Sequence, residues 1–226
     1  MSMELAQFQD RAEAGRVLAD RLTNYAGSPD VVVLALPRGG VPVGFQVARS
    51  LGAVLEVLSV RKLGVPGREE LAMGAIASGG TRVVNRRVVR ELGIAEDKLQ
   101  AVAAAEQHEL ERRERTYRDQ RPPPELTGKV VIVVDDGLAT GATMWAAVAA
   151  IRRQQPARVV VAVPVAAVST CQALEQAADE VICASTPALF MAVGQAYRNF
   201  AQTTDEEVRA LLDAAQATED DQAAGA

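Results

Sequence analysis

Cysteine is almost absent from this sequence. Cys171 and Cys183 are its only two, too few and too unpatterned for a disulfide framework or a zinc site. Positive charge is not in excess either: the formal net charge of -5 argues against a strongly basic nucleic-acid footprint. Part of that charge comes from Glu219, Asp220 and Asp221 near the C-terminus. No apolar run reaches membrane length and no signal-peptide core is present, so a cytoplasmic location is expected. Aromatics make up 4% of the chain, and the one histidine, His108, lies in a densely charged stretch that reads as a helix surface rather than a catalytic position. What is plentiful is aliphatic: 49% of the 226 residues are hydrophobic, enough to bury a real core in one α/β domain with a small appendage. A small molecule is the expected partner.

Residues 10–25 carry Ala14, Val17, Leu18, Leu22 and Tyr25 at helical spacing. Residues 31–36 are an unbroken β-branched and aliphatic run stopped by Pro37 and Gly39-Gly40, the signature of a strand buried on both faces. A helix is expected over 41–51 with Gly52 as its stop, then a second strand over 54–60. Residues 61–70, rich in charge, glycine and proline, read as a mobile loop, with short extended segments over 72–77 and 82–84. Strong helix formers over 96–117 run to Pro122-Pro123-Pro124. A β-α-β unit follows: strand 130–134, helix 143–154 with Trp145 in the core, strand 159–163. Helix 169–178 and strand 180–183 continue the alternation. The expected fold class is α/β, a mostly parallel twisted sheet flanked by helices on both faces. The core would span residues 1–185. A small hood or lid would follow over 186–214, holding Phe190, Tyr197 and Phe200, and a frayed tail over 215–226, where large apolar residues run out.

Chemistry concentrates after the clearest strand. Asp135-Asp136 is followed by Gly137-Leu138-Ala139-Thr140-Gly141-Ala142-Thr143. In open α/β sheets ligands bind beyond the carboxyl ends of the strands, where backbone N–H groups and a helix N-terminus favour anions. The glycines allow close backbone approach, and Thr140 and Thr143 add hydroxyl donors for a phosphate. Two aspartates cannot serve that same phosphate, since like charges repel. They suit the two hydroxyls of a ribose, or a metal held beside it, directly or through water. The bland alternative is an aspartate pair capping the next helix and a turn that merely connects. A Walker loop is excluded by the missing Gly-Lys-Ser/Thr ending, and a dinucleotide loop by the missing Gly-x-Gly-x-x-Gly. After the first strand, Arg38 offers a planar cationic fork and Gly39-Gly40 a backbone able to turn N–H groups towards an anion.

The string Val-Val-Ile-Val-Val-Asp-Asp-Gly-Leu-Ala-Thr-Gly-Ala-Thr-Met resembles the 5-phosphoribosyl-1-pyrophosphate motif of the type I phosphoribosyltransferases. The resemblance implies that Asp135 and Asp136 bind the ribose hydroxyls, that Leu138 to Thr143 envelop the 5-phosphate, and that Arg38-Gly39-Gly40 form the pyrophosphate loop. Val60-Arg61-Lys62 resembles the start of the family's catalytic loop, so Arg61, Lys62 and Arg68 become candidates to stabilise the leaving pyrophosphate, with Glu69 and Glu70 partly neutralising them. Phe190 and Tyr197 either stack on the acceptor or form the core of the small subdomain. Mg²⁺ is the implied cofactor. The implied activity is transfer to a nitrogen acceptor; the alternative is a regulator of the same fold that senses the sugar phosphate, for which Arg86-Arg87 and Arg112-Arg113-Glu114-Arg115 are the only basic clusters. Ala139 matches the adenine enzymes, whereas the hypoxanthine and guanine enzymes carry an aspartate there. Expected partners are the sugar pyrophosphate, a small acceptor and a second copy of the chain, with no membrane or nucleic acid.

Overall fold

Five parallel strands, each a short aliphatic run, make the central sheet of the computed structural model, which describes residues 7–118 and 124–224. In chain order the elements are α1 (Arg11–Asp20), β1 (Val31–Ala35), α2 (Gly40–Leu51), β2 (Val54–Val57), β3 (Val60–Val65), β4 (Arg68–Ala77), β5 (Thr81–Val84), α3 (Arg86–Glu91) and α4 (Glu96–Arg118). They continue as β6 (Val130–Val134), α5 (Ala142–Arg152), β7 (Arg158–Val165), α6 (Val168–Leu174), β8 (Glu180–Ser185) and α7 (Asp205–Ala224). Pro122 and Pro123 lie outside the described residues.

Side chains alternate across a strand, so a run buried on both faces feeds two cores. Val31, Val33, Ala35, Ile132, Val134, Val160 and Ala162 point to one core, shared with α1, α2 and α7. Val32, Leu34, Val131, Val133, Val159, Val161 and Val163 point to the other, shared with α5 and α6. Helix α1 is shorter than its apolar spacing suggests. Asp10 caps it by accepting from the Glu13 amide at 2.8 Å, and after Asp20 the chain turns so that Leu22 enters the core just before a separate 3-10 turn over Thr23–Tyr25. Helix α2 matches its expected limits, with Gly52 as the stop.

The strand order is β2-β1-β6-β7-β8. From β1 the chain steps one way to β2, whereas from β6 it steps the other way to β7 and β8. The reversal opens a crevice at the carboxyl ends of β1 and β6, where doubly wound sheets bind ligands. Those two ends carry residues 36–40 and 135–141.

The segment 61–70 departs from the expected loop. The core strand ends at Val57, and Val60 begins a second, antiparallel sheet of order β3-β4-β5. Val65 and Arg68 pair across a Pro66-Gly67 turn, where proline fixes the first turn residue and Gly67 takes φ +75°. The extended segments expected over 72–77 and 82–84 are parts of β4 and β5. This sheet has its own small core: Leu63, Val65, Met73 and Ile76 pack against Leu99, Ala103 and Leu110 of α4. The expected fraying from Ala215 also differs, because α7 runs to Ala224 and buries Ala215 with Val208 and Leu212 beside α2. Among the described residues no helix is long and apolar enough to cross a membrane.

Leu110 is fully buried in the small core. Leu110→Ala should cost about 2–5 kcal/mol in urea unfolding, and amide exchange should accelerate in β3–β5 and α4 before β1, β6 and β7. Uniform acceleration across both sheets would contradict two separable cores.

Candidate active site

Asp135 and Asp136 stand at the carboxyl end of β6 with their carboxylates withdrawn from bulk water. Asp135 Oδ1 accepts from the Asp136 amide at 2.8 Å. Asp136 Oδ2 accepts from Arg11 twice, from Nε at 2.9 Å and Nη2 at 2.8 Å. Arg11 is itself fixed: Nη1 donates to the Ala201 carbonyl at 2.7 Å, and the guanidinium lies 4.1 Å from the Phe200 ring centroid. The Tyr197 hydroxyl donates to the Asp136 carbonyl at 2.5 Å. Burial, followed by the charge of Asp136, raises the Asp135 carboxyl well above the usual range. Burial also raises Asp136, opposed by Arg11. Burial and the neighbouring Asp136 charge raise the Tyr197 phenol, which keeps it a donor. Asp135 Oδ2 and Asp136 Oδ1 are left without a hydrogen-bond partner among the described residues.

Gly39 and Gly40 press directly on this pair. A Cβ on Gly39 would overlap Asp136 Oδ2, and one on Gly40 would lie 2.8 Å from the Val134 carbonyl and 2.9 Å from Asp135 Cα. No other residue allows this approach. The preceding Pro37–Arg38 peptide is cis. Arg38 is half-buried and lies 3.7 Å from Asp205 of α7. The loop after β1 and the acid pair after β6 thus form one packed unit across the switch point.

Residues 137–141 lead from the acid pair into α5. Gly137 sits against Val165 and Val193, and Leu138 is buried with its amide donating to the Val165 carbonyl at 2.9 Å. Thr170 Oγ1 donates to the Ala139 carbonyl at 2.8 Å, tying the loop to α6. Gly141, at φ +70°, caps α5, which begins at Ala142. Ala139, Thr140, Ala142 and Thr143 are exposed. Amides in the first turn of a helix have no intrahelical acceptor, and the helix dipole adds partial positive charge there. This end of α5 is built to receive an anion.

Across from it, a cleft of about 760 Å³ is lined by Pro37 and Thr143 of the core, by Arg61, Lys62 and Glu69 of the hairpin, and by Glu106 of α4. Arg61 and Lys62 therefore share a space with the N-terminal end of α5. Arg61 Nε donates to Glu106 Oε2 at 2.6 Å. Arg68, at the exposed start of β4, is not among the lining residues.

Three readings of side chains change. Tyr197, expected either to touch an acceptor or to fill a core, is 4% exposed and packs with Phe8 and Phe200. It holds the acid pair's backbone and is not open for stacking. Phe190 is half-buried in the same cluster. Trp145, expected in the core, is 37% exposed. Cys171 of α6 and Cys183 of β8, too few for a framework, form a single disulfide between neighbouring elements. Arg11 was not signalled at all: it stands 125 residues from Asp136 and belongs to no motif. His108 is exposed on α4, as its charged surroundings imply.

Residues 4–192 match the family model described as the phosphoribosyl transferase domain. Two curated Mycobacterium tuberculosis proteins, provisionally named phosphoribosyl transferases MT0597 (strain CDC 1551 / Oshkosh) and Rv0571c (strain H37Rv), are each 51% identical over 208 residues. The match covers 92% of this chain and 47% of each relative, so the chain spans about half their length. The crystal structure of TT1426 from Thermus thermophilus superposes with a TM-score of 0.83 at 44% identity, over 91% of this chain and 97% of that one.

Removing one partner of a buried pair leaves the other charge uncompensated. Arg11→Ala should destabilise the protein by about 3–5 kcal/mol at neutral pH. Without the guanidinium, the Asp136 carboxyl rises further above 3.8, so the folded variant binds its proton more tightly than the unfolded chain does. The variant's stability then falls as pH rises through that window, and its deficit should shrink at acidic pH. Urea unfolding across pH measures this, and a pH-independent deficit would contradict the pairing.

Proposed function

Because the chain belongs to the phosphoribosyl transferase domain family, we propose that it transfers the 5-phosphoribosyl group of 5-phosphoribosyl-1-pyrophosphate to a nitrogen acceptor, a nucleobase, with release of pyrophosphate. The observation that carries this reading is the packed unit at the switch point. An acid pair lies under Gly39-Gly40, with a helix N-terminus beside it and a cationic hairpin across one cleft.

In this reading Asp135 Oδ2 and Asp136 Oδ1 accept from the ribose 2- and 3-hydroxyls, and charged acceptors make the stronger hydrogen bonds. The 5-phosphate rests on the amides and hydroxyls of residues 139–143 at the start of α5, on a loop that the Leu138 amide ties to the Val165 carbonyl. Arg38 and the Gly39 amide receive the pyrophosphate, while the Gly40 amide, which donates to the Leu36 carbonyl at 3.0 Å, fixes the loop that presents them. Among the described residues no cluster of three or more metal-ligating side chains is present. The acid pair suits Mg²⁺, which is commonly held by one or two carboxylates together with substrate phosphates. The ion, when bound, neutralises charge on the pyrophosphate.

The bond from the anomeric carbon to the pyrophosphate oxygen breaks with its electron pair leaving on pyrophosphate, and the acceptor nitrogen forms the new bond. Negative charge grows on the leaving group as this happens. Arg61 and Lys62 line the cleft where that charge develops, and closure of the hairpin would bring Arg68 nearer while excluding water. Positioning and electrostatics suffice, with no covalent enzyme intermediate. With Tyr197 committed to the core, the acceptor platform falls to Phe190. Exposed Leu189 and Met191 flank it, and Val193, three residues beyond Phe190, rests on Gly137.

Ala139 has only a methyl group, so it cannot take a proton from a purine ring nitrogen. General-base help of that kind is commonly worth about 100- to 10,000-fold in rate. Candidate bases and amines assayed with the sugar pyrophosphate and Mg²⁺ should release pyrophosphate with an adenine- or orotate-like base. Hypoxanthine and guanine should be slower by about 100-fold or more. Efficient turnover of hypoxanthine would overturn the inference from Ala139. Tight binding of the sugar pyrophosphate with no release from any acceptor would favour the sensing regulator instead.

A further inference from the structure

The basic cluster Arg86-Arg87 plays no part in the site above, and the structure divides it. Arg87 turns to Glu91, one turn along α3, at 2.7 Å. Arg86 and Arg90 instead line a cavity of about 350 Å³ with Arg82 of β5. Val84, Val89 and Leu99 supply its apolar wall and Glu96 its one carboxylate. Arg82 Nη1 is held by Gln100 Oε1 at 2.8 Å, and Gln100 Nε2 donates to Glu96 Oε1 at 2.6 Å. Arg90 Nε donates to the Arg86 carbonyl at 3.2 Å. Neither Arg86 nor Arg90 has a carboxylate partner among the described residues.

Like charges one turn apart on a helix repel, so this convergence is left for something outside the chain to neutralise. Guanidinium forks match phosphate oxygens bidentately. The apolar wall offers a flat face beside them, which a free sugar phosphate would not use. Ligand cavities run from about 300 to 1,000 Å³, so this one has room for a mononucleotide and not for a polymer. We propose that the cavity between β5, α3 and α4 is a second binding site, for a nucleoside monophosphate. Its phosphate would rest on Arg82, Arg86 and Arg90, its base on the partly buried Val84 and Val89, and its sugar hydroxyls near Glu96. The cavity shares no lining residue with the cleft at Arg61, yet α4 walls both. Val84, Val89 and Leu99 also belong to the small core that seats Leu63 and Val65 of the Arg61 strand. Occupancy therefore bears on the hairpin of the proposed reaction.

Adenosine monophosphate titrated calorimetrically into the Asp135→Asn/Asp136→Asn protein, where the ribose site is weakened, tests this directly. Binding should persist there and fall about tenfold or more when Arg86→Ala and Arg90→Ala are added. Circular dichroism should be unchanged, since both arginines are exposed. Adenosine and inorganic phosphate should each bind about tenfold or more weakly than the monophosphate. No binding to the aspartate variant, or an affinity indifferent to the arginine substitutions, overturns the site. Phosphate binding as tightly as the nucleotide overturns the nucleotide assignment.

Discussion

Two aspartates side by side in a partly dry crevice are the constraint on which the rest of this structure depends. Placing like charges together out of water is unfavourable, and each surrounding feature answers to it. Arg11 gives two hydrogen bonds to Asp136 Oδ2, Tyr197 fixes the Asp136 carbonyl, and Gly39 leaves room for the carboxylate. The compensation is incomplete, since both carboxyls stay raised above 3.8. A carboxyl raised in the folded state binds its proton more tightly there than in the unfolded chain. The pair's contribution to stability therefore declines as pH rises above that value. The protein keeps the pair ionisable where it lowers stability, a pattern found at functional sites.

The division into two cores fits this demand. The parallel sheet, buried on both faces, holds the acid pair, the β1 loop and the start of α5 in fixed relation. The smaller core carries the hairpin, with fewer buried contacts and a cleft between it and the sheet. Regions of low contact density open at lower free energy. A rigidly held acid pair and a more easily displaced cationic hairpin thus belong to separate parts of one chain, linked at Leu58 and Ser59 and packed together along α5.

Much of the sheet was legible because its strands are continuous aliphatic runs, and residues 130–134 and 31–35 have no other reading at that length. The loop after Asp136 was legible because glycine, threonine and acid occur in an order that few structures need. The hairpin at 61–70 was not, because Gly64, Pro66 and Gly67 resemble loop composition, while its strand character depends on pairing with residues up to Ala77 and on α4. Arg11 was hidden for a related reason: its partners, Asp136, Ala201 and Phe200, are remote in sequence. Tyr197 was left between two readings that only burial separates. Composition misled at the C-terminus, where alanines poor in apolar area still form α7 because Val208, Leu212 and Ala215 align on one face.

The central claim is that Asp135 and Asp136 hold a ribose at the expense of stability. Calorimetry of 5-phosphoribosyl-1-pyrophosphate with Mg²⁺, set beside thermal unfolding at neutral pH, tests both halves on one variant. Asp135→Asn, which removes one of the two like charges and leaves the Arg11–Asp136 pair intact, should weaken binding by about 1 kcal/mol or more while raising Tm by a few degrees. Unchanged affinity in that variant would contradict the account.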